Sequence, residues 1–278
     1  MRRKDFCFIF AVLFLLFFSC LTFAKAQEME EKGSENTANF IEGLIILFIV
    51  TSIVLCANIV KKFKTSLFGT PFVYILMGLF LMGIIRLIFV FNEFKIFSLH
   101  EESLVILWHM VFYTSSTSFF IALDKIKKTA KGNMTSFTRK DSIILAVLLV
   151  SSVTIFALAQ PLNEWIVSWF RDELGIQHFI AFAFAGLLAS RLLWIKINKK
   201  YSGELISAII PSFIIFLSLM SFVHFWELLT ESWKIIHVPG ATIELVEQII
   251  WVPAFAIMSY GILQVNLVIK KTFSAVKK

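Results

Sequence analysis

Runs of about 20 apolar residues, each long enough to cross a hydrocarbon core of about 30 Å, recur along this chain and constrain it more than any other feature. Of 278 residues, 58% are apolar and 16% charged, with a mean hydropathy of +0.84. A soluble domain has roughly 45–50% and about 25% respectively. That balance excludes a soluble enzyme, a secreted disulfide scaffold and a DNA-binding domain. The net charge of +7 then reads as a membrane property, with no nucleic acid as partner. The expectation is an all-α integral membrane protein.

The first run is an address. Arg2, Arg3 and Lys4 precede the apolar stretch from Phe6 to Phe23, which is closed by Ala24-Lys25-Ala26. A basic start, a short apolar core and an A-x-A site read as a secretory signal peptide, cleaved after Ala26. The mature chain then begins at Gln27, outside the cytoplasm, and enters its membrane by the secretory route. An uncleaved anchor helix and a lipoprotein cut before Cys20 are the alternatives, but Phe17 and Phe18 make a poor lipobox. Cys7 and Cys20 leave with the peptide, and Cys56 stands alone in an apolar helix as a small core residue. Residues 27–39 form a short outer tail, 40–269 the helical domain and 270–278 a basic cytoplasmic tail.

Seven helical spans are expected, at about 40–60, 70–91, 104–123, 142–159, 177–195, 205–227 and 243–268. Loops after spans 1, 3, 5 and 7 hold sixteen Lys and Arg, including Lys61, Lys125, Arg139, Lys199 and Lys270; the opposite side holds four, Lys32, Lys95, Arg171 and Lys234. Positive charge stays in the cytoplasm, so the N-terminus is outside and the C-terminus inside. Acidic residues divide in reverse, with Glu93, Glu101, Glu102, Glu231 and Glu244 among twelve on the outer side, forming a rim that concentrates cations. The basic inner loops need no partner beyond anionic lipid. Between spans 4 and 5, Trp165, Ile166, Trp169 and Phe170 recur at helical spacing and suit a short interfacial helix.

A shift of 138 residues aligns span 2 with span 6, setting Lys61-Lys62 on Lys199-Lys200, Met82 on Met220 and Glu93 on Glu231. Seven identities over positions 61–93 are few. The layout they suggest is 3+1+3, two parallel three-helix repeats joined by span 4, as known in some transporters.

An ionisable side chain inside a span is costly and is by default a functional candidate. Arg86, His109, His178, His224, Glu227 and Glu247 are such residues, and the expected orientation puts all of them in the outer third of the bilayer. His224 and Glu227 share a helix face at i, i+3, as do Glu244 and Glu247. Imidazole with carboxylate suits a divalent metal, zinc most readily. The expected metal ligands are His109, His224, Glu227 and Glu247, with Arg86 as electrostatic partner of Glu247 or of an anionic ligand. Haem held by two histidines is a weaker fit, because no spacing identifies a pair. His178 and Glu244, at the membrane edge, read as solvated residues. Below His109 the run Tyr113-Thr114-Ser115-Ser116-Thr117-Ser118 brings hydroxyls to mid-span, lining a path or, more commonly, bonding to backbone.

Span 7 has no lysine for a retinal Schiff base, and no GxxxxGKS or GxGxxG loop is present. The leading reading is a protein that senses or transports a cation or small polar ligand in an outer-half pocket of Arg86, His109, His224, Glu227 and Glu247. A membrane-embedded metal hydrolase using the same residues is the alternative enzyme class. A scaffold subunit of a larger membrane complex is the third, and any signal passes to a separate membrane or cytoplasmic partner.

Overall fold

A computed structural model describes residues 31–63, 69–93, 96, 101–130, 138–159, 175–197 and 204–276. The expected signal peptide and the Trp165–Phe170 segment lie outside the described residues. Those described form seven α-helices: α1 Glu31–Lys62, α2 Gly69–Glu93, α3 Glu101–Ala130, α4 Arg139–Ala159, α5 Ile176–Ile197, α6 Glu204–Glu227 and α7 Gly240–Val276, with a π-helical turn at Leu228–Ser232 ending α6. Every expected span falls within one of them. Among the described residues, five helices are long and apolar enough to cross a membrane: Phe40–Lys62, Gly69–Asn92, Ile176–Trp194, Ala208–Ser232 and Thr242–Lys271. This is an all-helical membrane protein.

The helices pack in a ring. α1 meets α2, α2 meets α3, α5 meets α6, α6 meets α7, and α7 closes back on α1; a narrower contact joins α3 to α5. α4 lies outside, packed chiefly on α3. The main core runs through the ring, with Phe112, Phe119, Phe213, Phe216, Trp251 and Phe255 fully buried, and a smaller cluster of Leu81, Ile85, Leu107 and Val111 lies between α2 and α3. Residues on the outward faces, such as Leu47, Val54, Leu187 and Leu267, are apolar and exposed. Large exposed aliphatic side chains on every face are what a lipid-facing bundle requires.

Small residues let the helices approach. Ala181, Ala185 and Ala189 are buried where α5 meets α6, and Ser221 donates to the Phe182 carbonyl across that contact at 2.9 Å. Gly261 abuts Ser212, whose Cβ stands 2.5 Å from where a Gly261 side chain would begin. α1 and α7 are tied by Ser52 with Ser259 at 2.7 Å and by Asn266 donating to the Leu55 carbonyl at 3.1 Å. Cys56 is buried, its thiol donating to the Phe72 carbonyl. These are the small-residue contacts and interhelical hydrogen bonds that hold helices together where the hydrophobic effect is absent.

At the end of the bundle carrying Lys62 and Lys125, Asp141 organises three helices. Thr138 and Asp141 form a reciprocal cap for α4: Thr138 donates from its backbone and hydroxyl to Asp141 Oδ2 at 2.8 and 2.6 Å, and the Asp141 amide returns a bond to Thr138 Oγ1 at 3.3 Å. The other carboxylate oxygen takes Lys125 Nζ at 2.6 Å and the Tyr74 hydroxyl at 2.9 Å. Burial pushes the Asp141 carboxyl up, but the bonds from Lys125, Thr138 and Tyr74 outweigh it and hold it at about 2.

Candidate functional site

The opposite end of the ring collects the ionisable residues. It is formed by the starts of α1, α3, α5 and α7 and the ends of α2 and α6, as an alternating up-and-down ring requires. Two stations lie side by side there, linked through adjacent residues of α3: Trp108 faces one and His109 the other.

The first station centres on Glu227. Its Oε2 lies 2.6 Å from His224 Nδ1, one turn back on α6, and 2.8 Å from His178 Nδ1, which reaches across from α5. His178, His224 and Glu227 are all buried, and their ligand atoms lie within 4.8 Å of one another. His109 Nε2 stands 3.5 Å from His178 Nδ1, with the two rings edge to face. Phe112 closes over His224, ring centroids 4.4 Å apart, and leaves its Nε2 buried without a hydrogen-bond partner. Within the π-helical turn, Glu231 Oε2 is 3.9 Å from His178 Nε2.

At the second station the Arg86 guanidinium lies between the indoles of Trp108 and Trp251, 4.6 Å from each ring centre. Glu42, near the start of the apolar stretch of α1, pairs with it at 3.3 Å. The two aromatic faces and the carboxylate balance the charge of Arg86, while Arg86 Nε and Glu42 Oε1 are buried without a hydrogen-bond partner. Glu247 lies in the field of Arg86, Glu227, Glu231 and Glu244. One carboxylate oxygen of Glu247 and the side-chain oxygen of Gln248 are buried without a hydrogen-bond partner.

Of the four expected metal ligands, His224 and Glu227 fall in the one group among the described residues that could hold a metal ion. His109 is beside that group, and Glu247 is not part of it. The group's third member is His178, a residue that reads from sequence as solvated edge. The difference arises because α6 continues through its π-helical turn, and Gly175, before α5, packs against Leu228 and Ser232 of that turn. His178 is thereby covered. Glu244 is exposed, as its edge position suggests. Arg86 takes Glu42 as its ion-pair partner, where Glu247 or an anionic ligand was expected. Glu42 was missed, although an acidic residue at the start of an apolar run, level with Arg86, is a readable signal.

Four residues of the hydroxyl run on α3 bond to backbone carbonyls, whereas Ser115 Oγ is buried without a hydrogen-bond partner. Tyr113 donates to the Gln177 carbonyl at 2.7 Å, Thr114 and Thr117 bond back to their own helix, and Ser118 donates to the Tyr74 carbonyl at 2.7 Å. A groove between α1, α2 and α4, lined by Ile53, Val73, Leu76, Phe80 and Leu145, is apolar and remote from this chemistry. The His109 and His178 rings are in contact, 4.8 Å between centroids, with no room for a macrocycle between that pair.

No family model matches the chain, and no curated protein or solved structure matches it either.

Proposed function

We propose that this is a seven-span membrane protein, N-terminus outside and C-terminus cytoplasmic, that takes up or senses a divalent transition-metal cation. The ion is held in the outer half of the bundle by His178, His224 and Glu227, with His109 as the neighbouring fourth donor. One observation carries the reading: two imidazole nitrogens from different helices converge on a single oxygen of a buried carboxylate. Two neutral nitrogens and one anionic oxygen suit zinc or its first-row neighbours better than calcium or magnesium, which prefer all-oxygen shells. Ligand atoms around a tetrahedral zinc lie about 3.4 Å apart for bonds of about 2.0–2.1 Å. The separation of His109 from His178, 3.5 Å, already matches, and the 2.6 and 2.8 Å contacts to Glu227 open by roughly 0.6–0.8 Å on loading.

The orientation is supported by the Lys and Arg asymmetry of the loops, and the crossing of α3 and α4 by the apolar lengths of their sequences. The ring with α4 outside accords with the 3+1+3 layout: a two-fold exchanging the halves carries the α3–α5 contact onto α7–α1. Arg86 with Glu42 serves as a fixed, internally neutral wall beside the metal station. Bound lipid covers the apolar outer faces.

The test is cobalt substitution. Co2+ titrated into the detergent-purified protein gives, on this reading, the intense visible bands of a four-coordinate N/O site, saturating at one equivalent. Weak octahedral bands alone contradict it.

A further inference from the structure

We propose that Glu231 is the entry ligand of the metal station, receiving the cation at the outer rim and passing it to the buried group through His178; this rests on the reading of that station as a metal site. The imidazole of His178 lies between two carboxylates. Its Nδ1 is 2.8 Å from Oε2 of Glu227, whose side chain is 8% exposed, and its Nε2 is 3.9 Å from Oε2 of Glu231, whose side chain is 47% exposed. Two ligand atoms of one tetrahedral metal with bonds of about 2.0–2.2 Å lie roughly 3.3–3.6 Å apart, so the 3.9 Å gap closes by about 0.6 Å or less on sharing an ion. Glu231 Oε2 and His178 Nε2 are therefore spaced to share an ion with solvent completing its shell. On the other side of the same ring, His178 Nδ1, His224 Nδ1 and Glu227 Oε2 receive it. Each station supplies one negative charge, so the ion is never carried into the bundle without compensation.

The π-helical turn builds this arrangement. The Trp233 amide bonds to the Leu228 carbonyl at 2.8 Å, and the Ile235 and Ile236 amides both reach the Leu229 carbonyl. The wider turn changes the angle at which Glu231 leaves the helix relative to Glu227, and such turns recur at functional sites. Lys234, with a left-handed φ of 51°, ends the turn. Gly175, φ +68°, abuts Leu228 and Ser232 so closely that any side chain there would collide with them. The start of α5, which carries His178, is thus keyed to the turn that carries Glu231. Glu244 is exposed at the same rim and contributes charge, but it is not paired with His178.

The test follows Co2+ association and dissociation by stopped-flow absorbance on the full chain, in wild type, Glu231→Gln and Glu244→Gln. The expected result is association at least tenfold slower in Glu231→Gln, dissociation slowed alongside it, and an equilibrium affinity within about threefold of wild type. Glu244→Gln changes either rate by less than threefold. Unchanged rates in Glu231→Gln, equal slowing in Glu244→Gln, or faster dissociation in Glu231→Gln each overturn the entry role while leaving the metal station standing. A wild type that binds no Co2+ overturns the station itself.

Discussion

His178 occupies the first turn of α5, yet its Nδ1 stands 2.8 Å from Oε2 of Glu227, the last α-helical residue of α6. The same oxygen already meets His224, so one carboxylate binds two imidazoles that neither helix could hold alone. A ligand that binds only the folded state stabilises it in proportion to the logarithm of its concentration over Kd. With a divalent transition metal at 100-fold its Kd, wild type gains about 2.7 kcal/mol. Thermal unfolding in detergent is expected to show this gain, and His224→Ala and Glu227→Gln to show none.

Arg86 and Glu42 give a second prediction, on stability and not on ligand. Removing one partner of a buried ion pair costs about 3–5 kcal/mol, because the other charge is left uncompensated. Arg86→Ala is therefore expected to cost more than the double variant Arg86→Met with Glu42→Gln. Arg86→Lys loses the planar contact with Trp108 and Trp251 and falls between them. Denaturant unfolding of the three variants checks the order.

That the ionisable residues share one end of the bundle was legible in the sequence, because the apolar runs and their flanking lysines set where each helix starts and ends. That arithmetic brought Arg86, His109, His224, Glu227 and Glu247 to one end of the bundle. What depth does not contain is azimuth, the question of which helix face meets which. Glu42 and Glu247 stand at one end on different helices, and only packing decides that Arg86 turns to the first. His178 was hidden for a related reason: its cover comes from an irregular π-helical turn, and no periodic signal announces one. The hydroxyl run on α3 was ambiguous in sequence; Tyr113, Thr114, Thr117 and Ser118 turn out to bond to backbone carbonyls.

Asp141 makes a pH prediction. Its carboxyl is held at about 2 in the folded chain, against an unfolded value near 3.8. A depressed acid stabilises the fold above the unfolded value and loses that contribution as pH falls toward the folded one. The shift corresponds to about 2 kcal/mol, present above roughly pH 4 and lost between there and about pH 2. Asp141→Asn is expected to be destabilised by a similar amount at pH 7 and to show a flatter acid limb. Stability followed from pH 6 to pH 2 measures both.

Gly261 tests the α6–α7 contact. Gly261→Ala places a methyl group against Ser212 and is expected to cost about 1–3 kcal/mol, the usual penalty for overpacking. Adding Ser212→Gly removes the obstacle and recovers most of the loss. Gly43→Ala, where no atom lies within 4 Å of the new side chain, is the control and leaves stability unchanged or slightly higher.

Orientation is checked by labelling single cysteines at Asn133 and Ser168 with a membrane-impermeant reagent. Asn133→Cys is expected to react only from the cytoplasmic side and Ser168→Cys only from outside; the reverse pattern places the His and Glu station on the other side of the membrane.

The central claim is that His178, His224 and Glu227 hold a divalent transition metal. Elemental analysis of the purified protein, dialysed against metal-free buffer after loading, tests it most directly. The account predicts close to one equivalent of metal in wild type and in Glu244→Gln, and almost none in His224→Ala or Glu227→Gln. No metal in wild type, or metal retained by both His224→Ala and Glu227→Gln, contradicts it.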